Sequence, residues 1–100
     1  MVRHILLMTL RQDATAQELA ALSAGFDSLA RDIPEIAALQ HGAALKLPGS
    51  SALGADYAVI LDAADEAAFA RYIAHPLHQE FVRGVIAPLR TGAMSAQIRL

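Results

Sequence analysis

Arg71-Tyr72-Ile73-Ala74-His75-Pro76-Leu77-His78 gathers two of the four histidines and one of the two tyrosines of this 100-residue chain. Before it, Phe69, Tyr72 and Ile73 recur at helical spacing; after it, Leu77, Phe81, Val85 and Leu89 recur every four residues. Pro76 separates the two patterns. Its ring disfavours the α conformation at His75, and its fixed φ suits Pro76 to the first position of a new helix. A hinge at His75 is therefore expected, with Tyr72 ending one helix and His78 in the first turn of the next. That geometry points both side chains toward a common space. A neutral imidazole can take a proton near pH 7, and a phenol can donate a hydrogen bond to a developing oxyanion.

Outward from this stretch, the chain reads as one domain over residues 1–100. Residues 3–10 form an apolar run too short for a helix and are read as a strand. Ile5, Leu7 and Thr9 point one way and His4, Leu6, Met8 and Leu10 the other, so both faces need cover. The side carrying His4, Leu6 and Met8 is assigned to the space between two sheets. Thr15 with Glu18 makes a capping box that opens a helix reaching about Asp32, with an apolar stripe of Leu19, Leu22, Phe26, Leu29 and Ile33. Gly25 costs about 1 kcal/mol against alanine in the helix interior, and Pro34 ends the helix.

Ile36 to Leu47 is a weak strand in which Gly42 suggests a bulge or a close backbone approach. Pro48 to Ala55 reads as a flexible loop. Asp56 to Ala63 is a clear strand, Asp65 the N-cap of the helix carrying Tyr72, and Pro76 to about Leu89 a second helical piece. Met94 to Leu100 alternates cleanly, apolar on one face and polar on the other. The order βαββ(αα)β predicts an α+β, ferredoxin-like fold with one four-stranded antiparallel sheet. Helices cover only one face of such a sheet, and no further segment covers the other. A second copy packed sheet to sheet predicts a homodimer.

Composition narrows the function classes. The chain is 55% hydrophobic but only 5% aromatic, so the core is aliphatic and thin, and a net charge of -2 without a basic cluster argues against nucleic-acid binding. Zero cysteines remove disulfides and thiol nucleophiles. No run is long enough for a signal peptide or membrane span, which reads as a cytoplasmic protein without membrane partners. Glycine-rich phosphate loops and nucleophile elbows are absent. His75 and His78 supply only two metal ligands, with no third at a diagnostic spacing. No cofactor and no metal are expected.

Several stretches together resemble the stress-responsive dimeric α/β-barrel family, often called Dabb. They are His4-Ile5-Leu6-Leu7-Met8, Asp56-Tyr57-Ala58-Val59-Ile60 and above all Tyr72-Ile73-Ala74-His75-Pro76-Leu77-His78-Gln79-Glu80-Phe81. The resemblance implies a homodimeric barrel and covers nearly the whole chain. In a polyketide-cyclase member of the family a tyrosine and a histidine promote an intramolecular aldol condensation. Those residues look similar to Tyr72 and His78, and a pocket histidine near the first strand resembles His4. Where that enzyme has a further pocket histidine in its third strand, this sequence is read as having Ala58.

The leading expectation is a small apolar carbonyl or phenolic ligand, with lyase, cyclase or isomerase chemistry. His78 would be the base, Tyr72 the oxyanion donor and His4 a pocket group. Leu6, Met8, Val59 and Phe81 are candidate liners. Against this stand a packing role for Tyr72, a carbonyl-capping role for His78, a polar group satisfied beneath a helix for His4, and an N-cap for His75. On the protein level the alternatives are a non-catalytic ligand-binding or stress-response module and, by analogy of fold, a cofactor-free oxygenase of aromatic compounds.

Overall fold

A computed structural model describes residues 1–49 and 54–100. Four strands, β1 (Val2–Leu10), β2 (Ile36–Ala43), β3 (Tyr57–Ala63) and β4 (Arg90–Arg99), form one antiparallel sheet in the order β2-β3-β1-β4. Helices α1 (Ala16–Asp32), α2 (Glu66–Ala74) and α3 (Pro76–Phe81) are followed by a π-helical turn (Val82–Ile86) and a last helical turn, α4 (Ala87–Leu89). This is the ferredoxin-like arrangement. Of the loop expected before β3, positions 50–53 lie outside the described residues.

Local chemistry sets the helix ends. The Thr15 hydroxyl accepts from the Glu18 amide while the Glu18 carboxylate accepts from the Thr15 amide, closing the capping box. Asp65 accepts from the Ala68 amide at 2.7 Å to start α2. His75 has extended backbone angles (φ -63, ψ 134), and its Nδ1 accepts from the Leu77 amide, so the residue that ends α2 also caps α3.

The alternation of β1 resolves against the assignment made from sequence. His4, Met8 and Leu10 are buried beneath the helices, with Leu6 packed beside them, so the face carrying His4, Leu6 and Met8 is the helix-covered one. A strand apolar on both sides gives no local indication of which face the helices take; the packing of α1 and the later helices decides it. The open face carries Ile5 and Leu7, flanked in register by Ala58 and Ile60 of β3 and by Met94 and Ala96 of β4. On that face Leu7 is 40% exposed, Ile60 37%, Met94 73% and Ile98 47%, an apolar surface of the kind that marks an interface. Arg3 and Asp62 close one end of it with a bidentate ion pair at 2.8 and 3.0 Å.

Three further departures have packing causes. The register shift in β2 falls between Ile36 and Ala38, and Gly42 has no atom within 4 Å of an added Cβ, so it marks neither a bulge nor a close approach. The helical piece after Pro76 does not keep a four-residue stripe. In the π-helical turn the Ala87 amide donates to the Val82 carbonyl, and the extra residue turns Ile86 inward while Leu77 stays 38% exposed. Ala58, by its pairing with Leu7, lies on the open face, so the β3 residues turned toward the helices are Tyr57, Val59 and Leu61.

Gly25 is explained by the core. A Cβ there would sit 2.0 Å from Cε1 and 2.5 Å from Cζ of Phe81, whose ring meets Phe26 edge-on at 4.9 Å. Gly25→Ala should therefore lower stability by about 1–3 kcal/mol through overpacking, despite a gain of about 1 kcal/mol in helix propensity. Urea denaturation checks this; an unchanged or raised midpoint would show that Phe81 moves aside freely.

Candidate functional site

The break at His75–Pro76 brings Tyr72, from the last turn of α2, beside His78 in the first turn of α3. Their ring centroids are 4.5 Å apart at an interplanar angle of 52°. Phe69, one turn earlier on α2, lies between Tyr72 at 6.1 Å and His4 of β1 at 5.0 Å. Tyr72, His78 and His4 thus belong to one cluster between α2, α3 and the sheet. Met8, Val59 and Phe81 form the closed core behind it, and Leu6 packs at the edge of that core. His75 remains at the hinge as a cap.

Hydrogen bonding assigns the protons. His78 Nδ1 lies 3.0 Å from the Ile73 carbonyl oxygen. A carbonyl can only accept, so a neutral His78 carries its proton on Nδ1 and keeps the Nε2 lone pair free. His4 has the opposite tautomer. The Gln97 amide nitrogen donates to His4 Nδ1 at 2.8 Å, which leaves the proton on Nε2. One imidazole of the cluster is thereby an acceptor at Nε2 and the other a donor.

The environment keeps all three groups uncharged near pH 7. Burial lowers the His78 pKa from 6.5; the Ile73 carbonyl, which favours the charged ring, opposes this in part, and His75 adds to the lowering. Burial lowers His4 likewise, and the nearby His78 charge lowers it further. Burial pushes the Tyr72 phenol up to about 12, so it stays protonated as a donor. A cavity of about 320 Å³ borders His78 and is lined by Ile73, Gln79, Val82 and Arg83. Tyr72, 3% exposed, lies behind His78 and outside that lining.

Among the described residues no three of His, Cys, Asp and Glu converge to hold a metal ion. No helix of those residues is long and apolar enough to cross a membrane.

The stress responsive A/B barrel domain model matches residues 2–98. The chain belongs to this Dabb family. No curated protein sequence matches the chain. A dimeric ferredoxin-like protein of unknown function from Thermobifida fusca YX is 29% identical with a TM-score of 0.86, over 99% of this chain and 90% of that one. A Dabb family protein from Mesorhizobium loti is 20% identical with a TM-score of 0.83, over 99% and 95%. The hydroxynitrile lyase of Passiflora edulis is 20% identical with a TM-score of 0.86, over 99% and 92%. At these latter identities the likeness shows the Dabb fold alone.

Two features escaped the sequence reading. Gln97, which sets the tautomer of His4, sits 93 positions away and becomes its neighbour only through β1–β4 pairing. His41, given no role from sequence, accepts from Tyr57 Oη at 2.7 Å and donates to Asp27 at 2.6 Å. The period of β2, too weak to orient His41, carried no signal of either contact.

The lowered histidines set a pH window. An unfolded chain takes up protons at both imidazoles near 6.5, whereas the folded chain does so only at lower pH, so the unfolded state binds more protons in between. Stability should fall as pH drops from 6.5 through the folded values, before the carboxylates contribute. Urea midpoints from pH 7.5 to 5 should show this slope, flatter in His78→Gln. NMR titration of His4 and His78 at or above 6.5 would contradict it.

Proposed function

We propose that this Dabb protein is a homodimer that binds a small, largely apolar carbonyl compound beside His78 and catalyses its enolisation, as a lyase, cyclase or isomerase step. The observation that carries the reading is the bond from His78 Nδ1 to the Ile73 carbonyl, which leaves Nε2 as a neutral base 4.5 Å, ring to ring, from a phenol that stays protonated.

The chemistry divides among the three polar groups. His78 Nε2 removes the proton α to the carbonyl, and the Ile73 carbonyl stabilises the imidazolium through the Nδ1 proton. Tyr72 Oη donates to the carbonyl oxygen as it gains charge, and His4 Nε2–H is a second donor. Leu6, Met8, Val59 and Phe81 form the apolar wall that keeps the dielectric low and strengthens these interactions. Ligand enters through the cavity bordered by His78. The fold is one on which a lyase operates in Passiflora edulis.

The burial of Tyr72 favours a second reading, a ligand-binding or stress-protective module in which Tyr72 and His78 only pack. Deuterium exchange separates the two. In D2O the protein should accelerate exchange of the α protons across a panel of small aryl β-keto acids. His78→Gln should reduce the rate by about 10²–10⁴-fold, and Tyr72→Phe by about 10²-fold or more. Exchange at the buffer rate throughout, or unchanged in His78→Gln, would leave the module.

The dimer uses the open sheet face. Two copies of the Leu7, Ile60, Met94 and Ile98 surface cover each other about a two-fold axis. Leu7→Asp should halve the mass measured by light scattering while the monomer keeps its helical circular dichroism. An unchanged mass would place the interface elsewhere.

A further inference from the structure

A second cavity shares no lining residue with the one that borders His78. It measures about 540 Å³ and lies between the first half of α1, the end of β1 and the facing ends of β2 and β3, with Leu10, Leu19, Ala20, Ser23, Ala43 and Tyr57 in its lining. Tyr57, in register with Met8, is four strand positions from His4, about 13 Å, and Phe26 packs against both Tyr57 and Phe81 in the core. Leu19, an expected core residue of α1, is 39% exposed because it faces this space.

Behind the cavity runs a hydrogen-bonded chain from solvent to interior. Asp27 is 68% exposed, His41 10% exposed by side chain, and Tyr57 4% exposed. The Asp27 carboxylate accepts only, so His41 donates from Nε2 and keeps its lone pair on Nδ1. Tyr57 must therefore donate its hydroxyl proton to Nδ1, at 2.7 Å. The remaining lone pair of Tyr57 Oη is an acceptor. Burial raises the pKa of the Tyr57 phenol, so it stays protonated; the hydroxyl of Ser23, which lines the same cavity, opposes this in part.

The charged groups of the lining are already engaged. Arg11 binds Asp13, Glu18 and the Pro88 carbonyl. Asp56 accepts from the Leu10 amide at 2.8 Å and pairs with Lys46 at 3.6 Å. No free cation awaits a carboxylate or phosphate ligand among them. What remains is a largely apolar space with the Tyr57 acceptor at one end and the Gln12 amide and Ser23 hydroxyl in its lining.

We propose that this cavity is a second ligand site, which takes a small apolar phenol and holds its hydroxyl, as donor, on Tyr57 Oη at the end of the Asp27–His41–Tyr57 chain. At Tyr57 the site favours a donor over an acceptor-only group, because the Tyr57 proton is committed to His41. The site is independent of the His78 reading.

The test compares 4-propylphenol with 4-propylanisole, its acceptor-only methyl ether, by titration calorimetry and NMR. The phenol should bind about tenfold more tightly, the size of one net hydrogen bond, with shifts centred on Ser23, His41 and Tyr57. Tyr57→Phe should abolish that preference, and Asp27→Asn, at the exposed end of the chain, should reduce it without disturbing the core. Ala20→Leu, on the outer face of α1, should weaken both compounds. Equal binding of phenol and ether, no binding of either, or shifts centred on Tyr72 and His78 would each overturn the proposal.

Discussion

The His75–Pro76 peptide is the constraint on which the site depends. Pro76 cannot tolerate a helical residue before it, so α2 ends at Ala74 and the chain restarts at once in a new direction. His75 makes the restart inexpensive by giving the Leu77 amide a side-chain acceptor. In one uninterrupted helix Tyr72 and His78 would be six residues apart, well around the cylinder from each other. With the break, their rings touch, and the Ile73 carbonyl that the break leaves exposed becomes the partner of His78 Nδ1. One proline thus places His78 and fixes its tautomer.

The same logic of acceptor-only partners governs both histidine settings. At His78 a backbone carbonyl captures Nδ1–H and frees Nε2; at His41 a carboxylate captures Nε2–H and frees Nδ1 for a tyrosine. The consequences for Tyr72 and Tyr57 differ. Tyr72 keeps its proton free to donate, whereas the Tyr57 proton is committed to His41 and leaves only lone pairs on its oxygen. A protein with only two tyrosines therefore presents opposite hydrogen-bonding polarity at two ends of one helix-covered layer.

Between those ends the core is tight, and Gly25 shows how tight. The ring of Phe81 occupies the space that a Cβ on α1 would need, which lets α1 approach the π-helical turn that follows α3. That turn in turn rotates Ile86 inward beside Leu89. The open face of the sheet has no such filling. Its exposed Leu7, Met94 and Ile98 and the Arg3–Asp62 pair at its margin make a surface that is apolar in the middle and charged at the edge, as interfaces are.

Local chemistry alone determined the elements that have local causes: the Thr15–Glu18 capping box, the Asp65 cap, the Pro76 break with its His75 cap, and the order of strands and helices that makes the fold ferredoxin-like. The meeting of Tyr72 and His78 belongs here too, because only six residues and one proline separate them. What depends on contacts distant in sequence was decided by the tertiary structure. Residues apolar on both sides of β1 carry no mark of which side α1 covers, so His4 and Met8 were placed by packing and not by alternation. Gln97 reaches His4 only across the β1–β4 ladder, and Asp27 reaches His41 only when α1 lies over β2. A hydrogen bond between such partners has no period in the sequence, since its two halves are brought together by the burial of other side chains.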